Sequence, residues 1–158
     1  MREITTVTKV YLFEELTKEQ QKKAIDNHRD INVDYEWYEH IYEKAASDFG
    51  IEILSFDLGR YEIEIKPIKS LKETATKIKT NLSKDNLLFS YADNYLESLK
   101  NDDDDEIYSE EEGILLDKLK QYFWKDLESS YDYLTSDDVI IETLMANKYE
   151  FTQDGKIF

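Results

Sequence analysis

The stretch NDDDDEIYSEEEG, residues 101–113, carries eight carboxylates and no basic residue. A run so rich in oxygen donors suits three kinds of chemistry. It can hold a hard cation, it can supply paired carboxyls for acid–base work, or it can stand in for the phosphates of a nucleic acid. A helix–loop–helix calcium site wants oxygen ligands at positions 1, 3, 5 and 12 of its loop and a glycine at position 6. Counted from Asp102, position 6 is Ile107 and position 12 is Gly113; counted from Asp104, position 6 is Ser109. Both registers fail, so the run reads as no dedicated calcium loop.

Catalysis by two carboxyls needs a set separation and surroundings that split their pKa values. With 36 Asp and Glu, many close pairs arise by chance, and no pair stands out. Histidine occurs only at His28 and His40; His40 beside Glu36, Glu39 or Glu43 is the nearest thing to a metal grouping, and it reads more simply as a surface histidine among carboxylates. The four glycines, at 50, 59, 113 and 155, spell neither a phosphate loop nor a dinucleotide fingerprint. There is no G-x-S-x-G elbow and no cysteine, which removes disulfides, thiolate metal sites and thiol nucleophiles together. The expectation is a protein that is not an enzyme and uses no cofactor, with a carboxylate enzyme dependent on a divalent metal as the outlying alternative.

The third chemistry fits better. The formal net charge is −16 and it is uneven: residues 1–80 hold 16 acids against 13 bases, residues 81–158 hold 20 against 7. Such a field repels nucleic acid and anionic lipid and attracts basic protein surfaces. Solubility alone needs a net charge of only about 2–8 in magnitude. The candidate contact residues are Asp102, Asp103, Asp104, Asp105, Glu106, Glu110, Glu111, Glu112, Asp117, Asp126, Glu128, Asp132, Asp137, Asp138 and Glu142. From 126 through 147 there is no Lys or Arg at all. The plain alternative for these residues is the solvated outer face of ordinary helices.

The elements that must position them read as follows. ITTVTKVYLF, residues 4–13, is β-branched and aromatic, hence a strand. Thr17 followed by Gln20 has capping-box spacing and opens a helix over 18–29, anchored by Ala24 and Ile25. A second helix starts near Asp34, with Trp37, Ile41, Ala45 and Phe49 on one stripe, Tyr38 and Tyr42 beside it, and Gly50 as its stop. Strands at 51–57 and 60–66 flank the turn residues DLGR, with Ile51, Ile53 and Ser55 on one face and Glu52, Leu54 and Phe56 on the other. Helices are expected at 69–80, 85–99 and 110–133, and a last one begins at Ser136. Asp154-Gly155 sits at the tip of a terminal hairpin, 149–158. The sum is an α+β fold: a small antiparallel sheet with five or six helices, in one domain of 158 residues, with 101–113 as a flexible acidic insertion. A chain of this size buries roughly 70% of its unfolded surface, enough for a core without staples. No run approaches a membrane span and the N-terminal residues lack a signal-peptide pattern, which together point to a cytosolic protein.

Two stretches carry a resemblance. LFEELTKEQQKKAIDNHRDINVDYEWYEHIYEKAASDFGIEI and YLTSDDVIIETLMANKYEFTQDGKIF resemble the two ends of a family of small uncharacterised proteins of phages and mobile elements of low-GC bacteria. Members show an fEeLs-e-qkkAi opening, then iNvd-dWw; here the second aromatic after Trp37 is Tyr38. The family brings no known activity and no functional residues. The resemblance implies a phage or prophage origin and a bacterial host cytosol. It favours an inhibitor of a basic host protein, such as a nuclease or other nucleic-acid-binding complex of a defence system, in the manner of an anti-CRISPR or anti-restriction protein. No direct contact with nucleic acid or membrane is expected. The competing expectation is a structural or assembly protein, for instance a homodimer, that docks through the Trp37–Tyr38 helix.

Overall fold

A computed structural model describes residue 2 and residues 7–101 and 110–158. Among them are six α-helices and two antiparallel sheets of two strands each, an α+β fold. The chain divides into two compact units, Met1–Glu36 with Ser130–Phe158, and Trp37–Ser129.

The first unit draws on both ends of the chain. Strand β1 (Tyr11–Leu12) pairs antiparallel with β4 (Glu150–Phe151). The expected strand over 4–13 is thus reduced to two residues; 7–10 form none, and 3–6 lie outside the described residues. A short 3-10 turn, Phe13–Glu15, leads to α1 (Lys18–Asn27). The capping box is formed: Thr17 Oγ1 accepts the Gln20 N–H at 3.3 Å and Gln20 Oε1 accepts the Thr17 N–H at 2.9 Å. Helix α6 (Asp137–Ala146) follows Ser136, whose hydroxyl donates back to the Tyr133 carbonyl at 2.8 Å rather than capping the helix. Phe13, Leu16, Ala24, Ile25, Ile140, Leu144 and Phe151 form the core. The terminal hairpin turns at Gly155, φ +77°, where an added Cβ would come within 2.6 Å of the Ala24 backbone nitrogen.

The second unit holds α2 (Glu39–Lys44), β2 (Ile51–Asp57), β3 (Glu62–Pro67), α3 (Leu71–Asn81), α4 (Leu87–Asn101) and most of α5 (Glu110–Leu134). Helix α2 begins five residues later than the periodicity predicts. Asp34 Oδ1 accepts the Glu36 N–H at 3.0 Å, a local turn rather than a helix cap. The helix then widens into a π-turn over Ala45–Phe49 and stops at Gly50 in the left-handed region, φ 67°. Strand β2 carries a bulge between Ile53 and Ser55. The extra residue reverses the alternation, so Phe56 pairs with Ile63 and packs inward while Leu54 is exposed. Ser70 Oγ caps α3 through the Glu73 N–H at 3.2 Å, and Asn86 Oδ1 accepts the Leu88 N–H at 2.9 Å at the start of α4. Leu115, Leu119, Phe123 and Leu127 repeat every four residues along α5 and are fully buried against Phe49, Ile51, Ile78 and their neighbours. No helix among the described residues is long and apolar enough to cross a membrane.

Candidate functional site

The candidate carboxylates fall into three groups. Asp102, Asp103, Asp104, Asp105 and Glu106 lie outside the described residues. A second group is engaged within its own unit. Asp126 accepts the Lys44 ammonium at 2.9 Å, and Lys44 also donates to the Tyr122 hydroxyl at 3.1 Å. Burial alone would lower the Lys44 pKa; Asp126 and Tyr122 together outweigh that and hold it above the ordinary lysine value. Asp137 pairs with Arg29, which also holds Asp26 at 2.7 Å and the Thr135 carbonyl at 3.1 Å. Asp117 has a loose neighbour in Lys120 at 4.0 Å.

The third group is Glu110, Glu111, Glu128, Asp132, Asp138 and Glu142, which make no ion pair with any described residue. Glu112, in the first turn of α5, lies close enough to Tyr95 to help raise its pKa. In the first unit, Asp138 and Glu142 are one helical turn apart on α6, and Asp132 is exposed in the last turn of α5. Helical backbone holds these charges in place. Their spacing sets what they can imitate. Helix α5 has 25 residues, about 37 Å of axis at 1.5 Å per residue. Seven of its residues are Asp or Glu and three are Lys. One carboxylate per about 5 Å is roughly threefold sparser than the phosphates of a duplex, at one per 1.7 Å, and nearer to a single strand at one per 3.4 Å.

The chain matches no protein-family model, and no curated protein or solved structure matches it.

Trp37, Tyr38 and Tyr42 close around Phe56, with ring centroids 5.7, 5.3 and 6.4 Å from it, and are partly buried against the core of the second unit. Tyr35 alone of this group stands free of the core, 82% exposed. Among the described residues no three His, Asp or Glu side chains are grouped as metal ligands.

One feature of the second unit escapes sequence reasoning. The end of the β2–β3 hairpin and one side of α5 enclose a cleft of about 1010 Å³, lined by Phe56, Asp57 and Tyr61 to Glu64 on one wall and by Asp117, Lys120, Gln121, Trp124, Lys125 and Glu128 on the other. The Tyr61 ring lies over Trp124, centroids 5.0 Å apart and planes 32° from parallel. Tyr61 holds φ 59°, a left-handed backbone that an aromatic residue adopts at a cost, although Gly59 sits two residues earlier in the same turn. The Trp124 indole N–H is buried and has no hydrogen-bond partner among the described residues. The signal available in the sequence was a second stripe on α5: 117, 121, 124 and 128 recur at helical spacing beside the core stripe 115, 119, 123 and 127.

Proposed function

We propose that this protein is a non-enzymatic, acidic protein-binding module that covers the Lys- and Arg-rich surface of a nucleic-acid-binding partner, as a phage-type inhibitor of a host defence nuclease would. One observation carries the reading. Glu128, Asp132, Asp138 and Glu142 sit on helices, without an internal counter-charge among the described residues, inside a stretch (126–147) devoid of Lys and Arg. Carboxylates held by backbone in this way gain most from a cationic surface brought against them and steer its approach over a distance of about a Debye length. Their sparse spacing favours competition for a basic groove over replacement of a duplex phosphate by phosphate. The assembly or homodimer alternative rests on Trp37, Tyr38 and Tyr42, whose rings already pack on Phe56.

The test is capture from bacterial lysate on the immobilised protein, eluted stepwise with salt and in parallel with duplex or single-stranded nucleic acid. A nuclease, helicase or similar basic binder released by both is the expected result. Absence of any captured protein that nucleic acid displaces would overturn the reading.

A further inference from the structure

We infer that the cleft between the β2–β3 hairpin and α5 is an arginine-binding site that takes an extended segment of the partner protein. This rests on the protein-binding reading above and names the chemistry of one contact.

Three features select this occupant. The first is the aromatic platform. Tyr61 is 76% exposed and overlies Trp124, so one large π-face is open to a planar cation. Guanidinium stacks on such a face, and it does so better than a compact ammonium. The second is charge. Asp57, Glu62, Glu64, Asp117 and Glu128 line the cleft against Lys120 and Lys125, an excess of carboxylate. Glu62 and Glu128 have no ion pair among the described residues, and Asp57 accepts the Arg60 backbone N–H at 3.1 Å with the Arg60 guanidinium looser at 3.6 Å. A fork of N–H donors stacked on the ring can engage a carboxylate beside it through two bonds at once. The third is the Trp124 indole N–H. A donor buried without an acceptor is unfavourable, and an acceptor brought beside it would relieve this. A peptide brings backbone carbonyls together with its cation, whereas a free polyamine brings donors only. The volume, about 1010 Å³, also exceeds what one side chain fills and suits a few residues of chain.

The experiment is ¹H–¹⁵N NMR of the full chain titrated with a seven-residue peptide bearing two arginines. Three further titrants are the same peptide with citrulline in place of arginine, with lysine in place of arginine, and spermidine. The Trp124 indole resonance is assigned from Trp124→Phe. The expected result is a saturating shift of that resonance with the arginine peptide and none with the citrulline peptide. Affinity should fall at least about tenfold, equal to about 1.4 kcal/mol, in Tyr61→Gly and in the pair Glu62→Gln with Glu64→Gln. These positions are exposed, and unchanged circular dichroism confirms the fold. Equal binding of arginine, lysine and spermidine, or shifts confined to α6 around Asp138 and Glu142, would overturn the cleft assignment while leaving the protein-binding reading intact. No binding of the arginine peptide would also overturn it. The broader reading falls separately, in the lysate experiment.

Discussion

Asp132→Asn should stabilise the protein while weakening its hold on a partner. Asp132 is exposed in the last turn of α5, and no basic residue shares that turn. A helix C-terminus carries the negative end of the peptide dipoles, so a carboxylate there is unfavourable by about 0.3–1 kcal/mol at low ionic strength. The carbonyls at this end are partly satisfied: Asn32 Nδ2 donates to that of Leu134 at 3.3 Å, and Arg29 Nη1 to that of Thr135, the residue after α5, at 3.1 Å. The lower half of the range therefore applies, about 0.5 kcal/mol. For a chain of this length that is a rise in Tm of about 1–2 °C, and Asp132→Lys should roughly double it. Thermal unfolding followed by circular dichroism at about 20 mM and about 500 mM salt is the assay, and the gain should shrink at the higher salt as screening shortens the reach of the dipole. The same variants, taken through the lysate capture, should elute at lower salt than the wild type. A fall in Tm on substitution, or a stabilised variant that captures its partner undiminished, would show that Asp132 has an internal role and is not held for a partner.

Two other outcomes follow from the packing. Gly155→Ala should cost more than about 2 kcal/mol in denaturant unfolding, since a left-handed alanine alone costs roughly 1–2 kcal/mol and its Cβ would meet the Ala24 backbone nitrogen at 2.6 Å; a near-neutral result would mean the terminal hairpin does not seat on α1. Tyr95 is buried, and burial, aided by Glu112, raises its hydroxyl pKa above the ordinary tyrosine value. A raised folded-state pKa gives stability that is complete below the unfolded value near 10 and is lost as pH climbs through the folded one. Tyr95→Phe should accordingly move the alkaline unfolding midpoint to higher pH, and an unchanged midpoint would assign alkaline unfolding to other groups.

Local chemistry made much of the fold legible. The capping box at Thr17 and Gln20, the stop at Gly50 and the four-residue repeat Leu115, Leu119, Phe123, Leu127 each depend on neighbours close in sequence, and each is found where its pattern places it. What was not legible depends on partners distant in the chain. The bulge at Ile53 to Ser55 exists because β3 presents Ile63 and Ile65 on one face, and it turns Phe56 inward against the alternation of its own strand. The N-terminal run 7–10 has strand composition but no partner strand among the described residues, where Tyr11 and Leu12 pair opposite Phe151 and Glu150. The charge counts marked the acidic segment but did not separate the carboxylates with internal partners, Asp126 and Asp137, from those without, because Lys44 and Arg29 lie 82 and 108 residues away. The cleft was invisible for the same reason: Tyr61 and Trp124 are ordinary aromatics until the hairpin meets α5.

The pairing of Tyr11–Leu12 with Glu150–Phe151 also orders events on the ribosome. All of Trp37–Ser129 is synthesised before any of Ser130–Phe158. The residues of the second unit are therefore all made first, at about 5–20 residues per second, while α1 and the residues before it wait for α6, β4 and Gly155. Until those residues are made, Ala24 and Ile25 lack Ile140, Leu144 and Phe151, with which they form one core in the folded protein. A chain truncated before Glu150 should therefore leave the apolar side of α1 partly uncovered and be more prone to aggregate than the whole chain.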